Sequence, residues 1–266
     1  MSTSPIQHRT DLGSWFSGRV ALVTGASSGM GQAIAVALGQ AGACVGVHYR
    51  GNRAGAELTC QQVIDAGGKA TVLQADLSNA KQVNAMFEML DSEFQSSIEM
   101  LVNNAGDWMD KAPILDCPLE QWEKMFAVNT LSVFLCCQQA GRRMVEAGNG
   151  GVIVNIGSLA GHTGGGGGTV PYAAAKAAVH TLTRGLAKEL APKNIRVNCI
   201  APGMIDTPML DGRVGVESFN FLKKLTPMGR IGRPDEIASS TLMLLSPSSS
   251  FVTGQIIDVN GGLLMR

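Results

Sequence analysis

Short apolar runs alternate with amphipathic or alanine-rich segments along most of the chain. The runs are rich in β-branched residues and apolar on both faces, which predicts strands buried between two layers. Strands are predicted at 19–24, 45–48, 71–74, 100–102, 152–156, 195–200 and 255–259, and helices at 29–41, 53–66, 79–94, 119–146, 172–190 and 234–245. This alternation predicts an α/β fold with a doubly wound parallel sheet.

The pattern also indicates how the chain is divided. No Pro/Ser-rich linker or block of charge interrupts it, and 266 residues can bury a substantial core. We therefore predict an N-terminal extension over 1–17 and a single domain over 18–266.

Charge and hydropathy exclude several kinds of partner. The formal net charge is zero, so the basic surplus of a nucleic-acid binder is missing. No apolar run approaches a length of about 20 residues, which a membrane span needs. Residues 1–16 lack the pattern of a signal peptide. The chain is expected to be a soluble, cytoplasmic protein whose partners are small molecules or copies of itself, with no nucleic acid and no membrane.

The cysteines and histidines give no sign of a metal site. The six cysteines contain no C-x-x-C pair, and most lie in apolar runs. The histidines, His8, His48, His162 and His180, are scattered, whereas zinc needs clustered ligands. We expect no metal, and cysteines that are buried and reduced.

A glycine-rich turn joins the first predicted strand to the first predicted helix. The sequence Thr24-Gly25-Ala26-Ser27-Ser28-Gly29-Met30-Gly31 lets the backbone turn tightly and approach a pyrophosphate, which the helix N-terminus then stabilises. This position in the fold is the one a dinucleotide site requires. The alternative is a plain tight turn.

The end of the second strand bears on the choice of dinucleotide. Many dinucleotide folds carry an acidic residue there, but this strand ends at His48-Tyr49-Arg50. A guanidinium binds a 2′-phosphate through paired N–H donors, whereas an acid repels it. Arg50 therefore favours NADP(H), and NAD(H) stays possible, since Arg50 as a solvated loop cation is the alternative.

Candidate chemistry lies in the second half of the chain. Tyr172 and Lys176 open a helix and lie one turn apart on one face. A nearby cation lowers the pKa of a tyrosine, which then exchanges protons with a substrate oxygen near neutral pH. Ser158 follows a strand at its carboxyl end, where ligands bind in open α/β sheets. Its hydroxyl is placed to hold the substrate oxygen by a hydrogen bond. The alternative is that this hydroxyl only hydrogen-bonds to backbone groups of its own loop.

Together these motifs resemble the short-chain dehydrogenase/reductase family, in its compact branch. The resemblance covers about 18–264 and rests on Thr24–Gly31, Asp76-Leu77, Asn103-Asn104-Ala105-Gly106, Asn129, Ser158, Tyr172-x-x-x-Lys176 and Pro202-Gly203. It implies a Rossmann-type NAD(P)-dependent oxidoreductase that moves a hydride between a nicotinamide and a carbonyl or secondary alcohol, with Tyr172 as general acid/base. The chain is similar to 3-oxoacyl-thioester reductases and to sugar and polyol dehydrogenases.

The resemblance also implies residue roles. Asp76 and Leu77 would meet the adenine, Lys176 would hold the nicotinamide ribose, and Asn129 would support a water that relays protons past Lys176. The expected catalytic residues are Asn129, Ser158, Tyr172 and Lys176. The expected cofactor-binding residues are Gly25, Ser27, Ser28, Gly29, Met30, Gly31, Tyr49, Arg50, Asp76, Leu77, Asn104, Ala105, Gly106, Tyr172, Lys176, Pro202, Gly203, Ile205 and Thr207.

The substrate is left open by these motifs. The family implies a lid at about 204–234, but its mixture of apolar and charged residues selects no ligand. The five consecutive glycines Gly164–Gly168 depart from the family pattern beside the reacting carbon. Neither the substrate, the physiological direction nor the strictness for NADP follows from the sequence.

Three other classes of protein are alternatives, and each would differ from this sequence in a visible feature. A sugar-nucleotide epimerase would have a separate C-terminal substrate domain, and a metal hydrolase would have clustered ligands. A non-catalytic dinucleotide-binding module would lack Ser158, Tyr172 or Lys176.

The helix 119–146 is apolar over much of its circumference, so we expect it to pair with a second copy. The family resemblance implies that the Tyr172 helix joins this pairing and that the C-terminal segment 255–264 meets another copy, which predicts a homotetramer. The alternative is a long helix covered by loops of its own chain.

Overall fold

The computed structural model describes residues 15–210 and 216–266, and of 216–219 only the backbone. Most of the predicted extension 1–17 lies outside the described residues. So do Asp211 and Arg213 of the expected lid, and the side chains of Glu217 and Phe219 are likewise not described.

A parallel sheet forms the centre of the described structure, as the sequence predicted. Its seven strands run in the spatial order β3-β2-β1-β4-β5-β6-β7. They are β1 (Val20–Val23), β2 (Cys44–Tyr49), β3 (Lys69–Gln74), β4 (Met100–Asn103), β5 (Gly151–Ile156), β6 (Ile195–Pro202) and β7 (Ile256–Val259). The order reverses between β1 and β4, so their carboxyl ends border the crevice in which such folds bind ligands.

Helices connect the strands and cover both faces of the sheet. They are α1 (Gly29–Gln40), α2 (Arg53–Asp65), α3 (Ala80–Phe94), α4 (Leu119–Phe126), α5 (Ser132–Ala147), α6 (Ala160–Thr163), α7 (Val170–Leu190), α8 (Val216–Leu225) and α9 (Pro234–Leu245). The boundaries of the predicted helices hold to within a few residues. The sequence did not predict α6 as an element.

The predicted helix 119–146 is interrupted. Between α4 and α5 the backbone forms a π-helical turn, Ala127–Leu131. A π turn holds one residue more than an α-helix over the same rise, and such turns are frequent at functional sites. Asn129 lies in its middle and is fully buried.

The core has two layers because alternate residues of each strand point to opposite faces. In β1, Ala21 and Val23 join the cluster under α1 and α9, whereas Val20 and Leu22 join the cluster under α3 and α5. All four are essentially fully buried. This explains why the strands read as continuous apolar runs rather than as alternating ones.

Buried polar side chains tie β4 and β5 to α7. The Nδ2 of Asn103 in β4 donates to the Oδ1 of Asn155 in β5 at 2.9 Å. The Nδ2 of Asn155 in turn donates to the Oγ1 of Thr183 at 2.9 Å. Because each of these buried donors has a partner, the series of hydrogen bonds fixes α7 against the strands without leaving them unpaired.

Candidate active site

The glycine-rich turn after β1 is held in shape by the start of the loop after β4. The Oγ1 of Thr24 accepts from the backbone N–H groups of Asn104 at 2.9 Å and Ala105 at 3.0 Å. The Nδ2 of Asn104 donates back to the carbonyls of Thr24 and Gly25 at 2.9 and 3.0 Å. Asn104 therefore fixes the turn rather than only lining it.

Two glycines of this turn are required by close contacts. Gly25 has φ +62°, and an added Cβ would lie 2.9 Å from the Cα of Ala105. A Cβ on Gly31 would lie 2.3 Å from the carbonyl oxygen of Gly25. The helix α1 begins at Gly29, and Ser28 makes no side-chain cap there. The N–H groups and the positive dipole end of α1 thus suit an anion such as a phosphate.

His48 is a residue of this site that the sequence analysis missed. Its Nδ1 accepts from the N–H of Gly25 at 3.0 Å, and its Nε2 lies 3.1 Å from the carbonyl oxygen of Ala75. Burial lowers the pKa of His48 to about 4, so the ring is neutral, with Nε2 as the donor. His48 links the phosphate loop to the ends of β2 and β3, a role for which its strand position alone gave no signal.

The other end of the cleft carries Tyr49, Arg50 and Asp76. The side chain of Tyr49 is buried, whereas Arg50 is exposed at the rim. Asp76 Oδ1 accepts from both the N–H and the hydroxyl of Ser78, which holds the pKa of this carboxyl below its usual value, with a smaller contribution from Arg50. Arg53, further along, forms a salt bridge with Glu57 at 2.7 Å.

Tyr172, Lys176 and Ser158 come together beside this cleft. Ser158 is hydrogen-bonded to the phenol of Tyr172. Lys176 is almost fully buried, donates from Nζ to the carbonyl of Ile156 at 2.9 Å, and lies 5.8 Å from the centre of the Tyr172 ring. A Cβ added at Gly106 would lie only 3.1 Å from this Nζ. The lack of a side chain at Gly106 therefore allows the ammonium group to approach the cleft.

The expected effect of Lys176 on Tyr172 is wrong for this geometry. Burial raises the pKa of Tyr172 to about 12, the hydrogen bond from Ser158 opposes this, and Asp107 adds to it. Burial also lowers the pKa of Lys176 to about 8. The reason for the difference is desolvation, which disfavours the charged form of both groups and is the largest cause of each shift. The phenol is protonated at neutral pH.

Asn129 reaches the same region from the π turn. Its Oδ1 accepts from the N–H of Asp107 at 3.1 Å, and its Nδ2 donates to the carbonyl of Asp107 at 2.7 Å. Nδ2 also lies 3.0 Å from the carbonyl of Met125. The amide therefore fixes the chain directly after Gly106.

The position of His180 explains why glycines stand on both sides of Ser158, at Gly157 and Gly161. A Cβ on Gly157 would lie 2.4 Å from the Nε2 of His180, and one on Gly161 would lie 2.7 Å from its Cε1. His180 stacks on His162 with 4.4 Å between ring centres. It is a packing residue behind the Ser158 loop.

Most of the predicted cofactor residues line one cleft of about 630 Å³. Those found in its lining are Gly25, Ser27, Ser28, Gly29, Met30, Tyr49, Arg50, Asp76, Leu77, Asn104, Ala105, Gly106 and Thr207. Of the remainder, Tyr172 and Lys176 are not in the lining of this cleft, Gly31 lies beneath the turn, and Ile205 buries its side chain in the core beside Gly232. Pro202 ends β6, and Gly203 follows it against Asn260. His48 and Asp107, which were not predicted, line the cleft.

Thiol and metal chemistry find no support in the described part of the chain. All six cysteines are free, and five are buried, Cys117 being partly exposed. Burial raises the pKa of the Cys60 thiol to about 11. Among residues 15–210 and 216–266 no cluster of three or more His, Cys, Asp or Glu side chains is arranged to hold a metal ion. Nor does any helix described there have the length and apolarity to span a membrane.

Comparisons with known proteins agree with the fold and the motifs. The family model described as "Enoyl-(Acyl carrier protein) reductase" matches residues 25–264. A 3-oxoacyl-[acyl-carrier-protein] reductase of Synechocystis sp. is 38% identical, with 93% of this chain and 97% of that protein covered. The chain thus belongs to the short-chain dehydrogenase/reductase family, and it is an oxidoreductase.

Two solved structures illustrate the range within this family. A gluconate 5-dehydrogenase from Burkholderia cenocepacia, in complex with NADP and tartrate, is 33% identical with a TM-score of 0.86, covering 93% of this chain and 95% of that one. An NADH-dependent reductase responsible for alginate metabolism is 29% identical with a TM-score of 0.86, covering 95% of this chain and all of that one. The family therefore fixes the type of reaction but neither the substrate nor the choice of cofactor.

Proposed function

We propose that the chain is an NAD(P)-dependent carbonyl reductase or secondary alcohol dehydrogenase that prefers NADP(H). The observation that carries this is the convergence of Tyr172, Lys176, Ser158 and Asn129 beside a cleft whose glycine turn suits a pyrophosphate. A 3-oxoacyl-thioester or sugar substrate is compatible with the same residues. The proposal covers one catalytic domain over 18–266 with the lid at about 204–234.

The residues fit a nicotinamide dinucleotide. Gly25 and Gly31 leave no room for a Cβ, and Ser28 leaves the start of α1 without a side-chain cap. The turn and the helix N-terminus would hold the pyrophosphate, Tyr49 to Arg50 and Asp76 the adenosine end, and Lys176 the nicotinamide ribose. When bound, the nicotinamide supplies or accepts the hydride.

The side chains divide the proton chemistry among them. In reduction, the Oη of Tyr172 gives its proton to the substrate oxygen, and the raised pKa keeps that proton in place until then. Ser158 holds the same oxygen by a hydrogen bond. Lys176 provides positive charge beside the phenol, and Asn129 orients the segment at Gly106 and supports the water that relays protons. In oxidation the proton moves in the opposite direction.

A panel of aldehydes, ketones, sugars and oxoacyl thioesters, followed by absorbance of the reduced nicotinamide, tests the reaction class. We expect turnover with at least one neutral ketone or aldehyde. Cofactor binding with no turnover across the panel would instead favour a non-catalytic dinucleotide-binding module.

Arg50 is expected to set the choice of cofactor. Arg50→Asp should weaken NADPH binding by more than tenfold, about 1.4 kcal/mol, because a guanidinium at the 2′-phosphate is replaced by a like charge, while NADH binding changes much less. Fluorescence titration with each cofactor measures this. Arg53→Asp is the matched control, since the same charge change falls on a side chain already paired with Glu57. Equal affinity of the wild type for both cofactors would contradict the preference.

We also propose that four copies of the chain assemble through two kinds of two-fold interface, one at α4, α5 and α7 and the other at the C-terminal segment 255–264. Along α4, the π turn and α5, Val133 and Cys136 face the core, while Leu119, Leu131 and Phe134 are 65%, 40% and 42% exposed. A row of large exposed apolar side chains is typical of an interface. Light scattering at micromolar concentration should give the mass of four chains, and the mass of one chain, 27.8 kDa, would refute the assembly.

A further inference from the structure

The glycine-rich turn after β1 is held from both neighbouring strands of the sheet, β4 and β2. On the β4 side, the amide of Asn104 binds the carbonyls of Thr24 and Gly25. On the β2 side, the Nδ1 of His48 accepts from the N–H of Gly25 at 3.0 Å, and the backbone carbonyl of His48 accepts from the N–H of Ala26 at 2.8 Å. The histidine side chain therefore fixes one particular N–H group of the turn.

The imidazole ring of His48 presents one donor and one acceptor in a defined arrangement. Its Nε2 lies 3.1 Å from the carbonyl oxygen of Ala75, which can only accept, so Nε2 carries the hydrogen and Nδ1 keeps the lone pair. The side chain is 2% exposed, and burial lowers its pKa to about 4, so the ring is neutral at neutral pH. A protonated ring would carry hydrogens on both nitrogens and could not accept from Gly25.

The contact between His48 and Gly25 bears on the binding of an anion by the turn. The N–H of Gly25 is taken up by the ring, whereas the N–H groups at the start of α1, at Gly29, remain for a pyrophosphate. Glycines lose much conformational entropy when they are ordered. Because the ring already orders Gly25 in the free protein, that loss does not weaken the binding of a ligand.

We infer that His48 is a positioning residue for the dinucleotide, whose Nδ1 holds the N–H of Gly25 so that the turn has the shape for the pyrophosphate before the cofactor binds. The inference rests on the proposed binding of a nicotinamide dinucleotide at this cleft. The pyrophosphate is common to NADPH and NADH, so His48 should contribute equally to both, unlike Arg50. It should also act on the KM for the cofactor and leave kcat at saturating cofactor near the wild-type value.

Two substitutions separate the two nitrogens of the ring. His48→Asn places an amide oxygen near the position of Nδ1, which keeps an acceptor for Gly25 and loses the contact with Ala75. His48→Gln places an amide nitrogen near the position of Nε2, which keeps the contact with Ala75 and loses the acceptor for Gly25. Since an unpaired buried N–H is unfavourable, His48→Gln should weaken NADPH and NADH alike by about tenfold or more, and His48→Asn should stay within about threefold of the wild type.

Fluorescence titration with each cofactor measures these affinities without turnover, and a thermal unfolding scan shows whether both variants are folded. Equal losses in the two variants would show that only the packing of the ring matters, and would overturn the role of Nδ1. Unchanged or tighter binding by His48→Gln, or a loss confined to NADPH, would overturn it as well. If the wild type bound neither cofactor, the proposed function itself would be refuted.

The wild-type protein provides a reading that does not depend on the folding of His48→Gln. NMR of nitrogen-labelled histidine rings at neutral pH should show His48 with a hydrogen on Nε2 and none on Nδ1. The spectrum of His48→Asn lacks this signal and so assigns it. A hydrogen on Nδ1 in the wild type would overturn the inference, because that nitrogen could not then accept from Gly25.

Discussion

Tyr172→Phe should bind cofactor with nearly normal affinity and lose about 100- to 10,000-fold of kcat, the range expected for removal of a general acid. The substitution keeps the ring, which lies beside Lys176, and removes only the oxygen that carries the proton. At neutral pH that oxygen is protonated, because burial raises the pKa of Tyr172 to about 12. Steady-state kinetics with the best carbonyl substrate of the panel measure the loss.

The cofactor affinity of the same variant is the internal control. Normal binding by fluorescence titration would show that the fold and the cleft are intact, so that the loss belongs to proton transfer. If Tyr172→Phe kept more than about a tenth of the wild-type kcat, Tyr172 would not be the acid, since even the lower limit for such a group is larger.

Gly31→Ala should reduce cofactor affinity by at least tenfold, about 1.4 kcal/mol, and should also lower the thermal stability. The added Cβ would lie 2.3 Å from the carbonyl oxygen of Gly25 and 2.5 Å from the Nδ2 of Asn104. Because the first of these is backbone, the phosphate turn itself must shift, and overpacking of this kind costs roughly 1–3 kcal/mol. Fluorescence titration and a thermal unfolding scan provide the two readings.

Gly185→Ala is the matched control for this substitution. Gly185 lies in α7, and a Cβ there would have nothing within 4 Å. Alanine in an exposed helix interior is more favourable than glycine by about 0.5–1 kcal/mol, so this variant should melt at the same or a slightly higher temperature and bind cofactor normally. A Gly31→Ala protein that behaved like Gly185→Ala would show that the turn tolerates the contact.

Much of the fold could be predicted from the sequence because the physical signals are local. A strand buried on both faces must be apolar at successive positions, as in β1 and β5, and this distinguishes it from an amphipathic helix. The glycine turn and the Tyr172–Lys176 pair were equally visible, because both depend on short spacings. The predicted cofactor residues Gly25, Arg50, Asp76 and Asn104 do lie at one cleft.

The features of the site that could not be predicted from the sequence depend on contacts between distant segments. His48 binds Gly25 and Ala75, which lie 23 and 27 residues away, and nothing in its strand indicates that pairing. The same holds for Asp107, whose backbone is held by the amide of Asn129, 22 residues away. The direction of the Tyr172 pKa shift was wrong since spacing reveals a nearby charge but not the burial that outweighs it.

The π turn at Ala127–Leu131 has a consequence for how such a site can arise. An α-helix into which one residue is inserted can absorb it as a π turn, while the helix on either side stays in register with the core. Here Met125 before the turn and Val133 after it are both buried. Deleting one residue within 127–131 should therefore restore a regular helix and spare the fold while removing the amide that holds Asp107. A single codon thus separates a regular helix from one that holds the segment after Gly106 through Asn129.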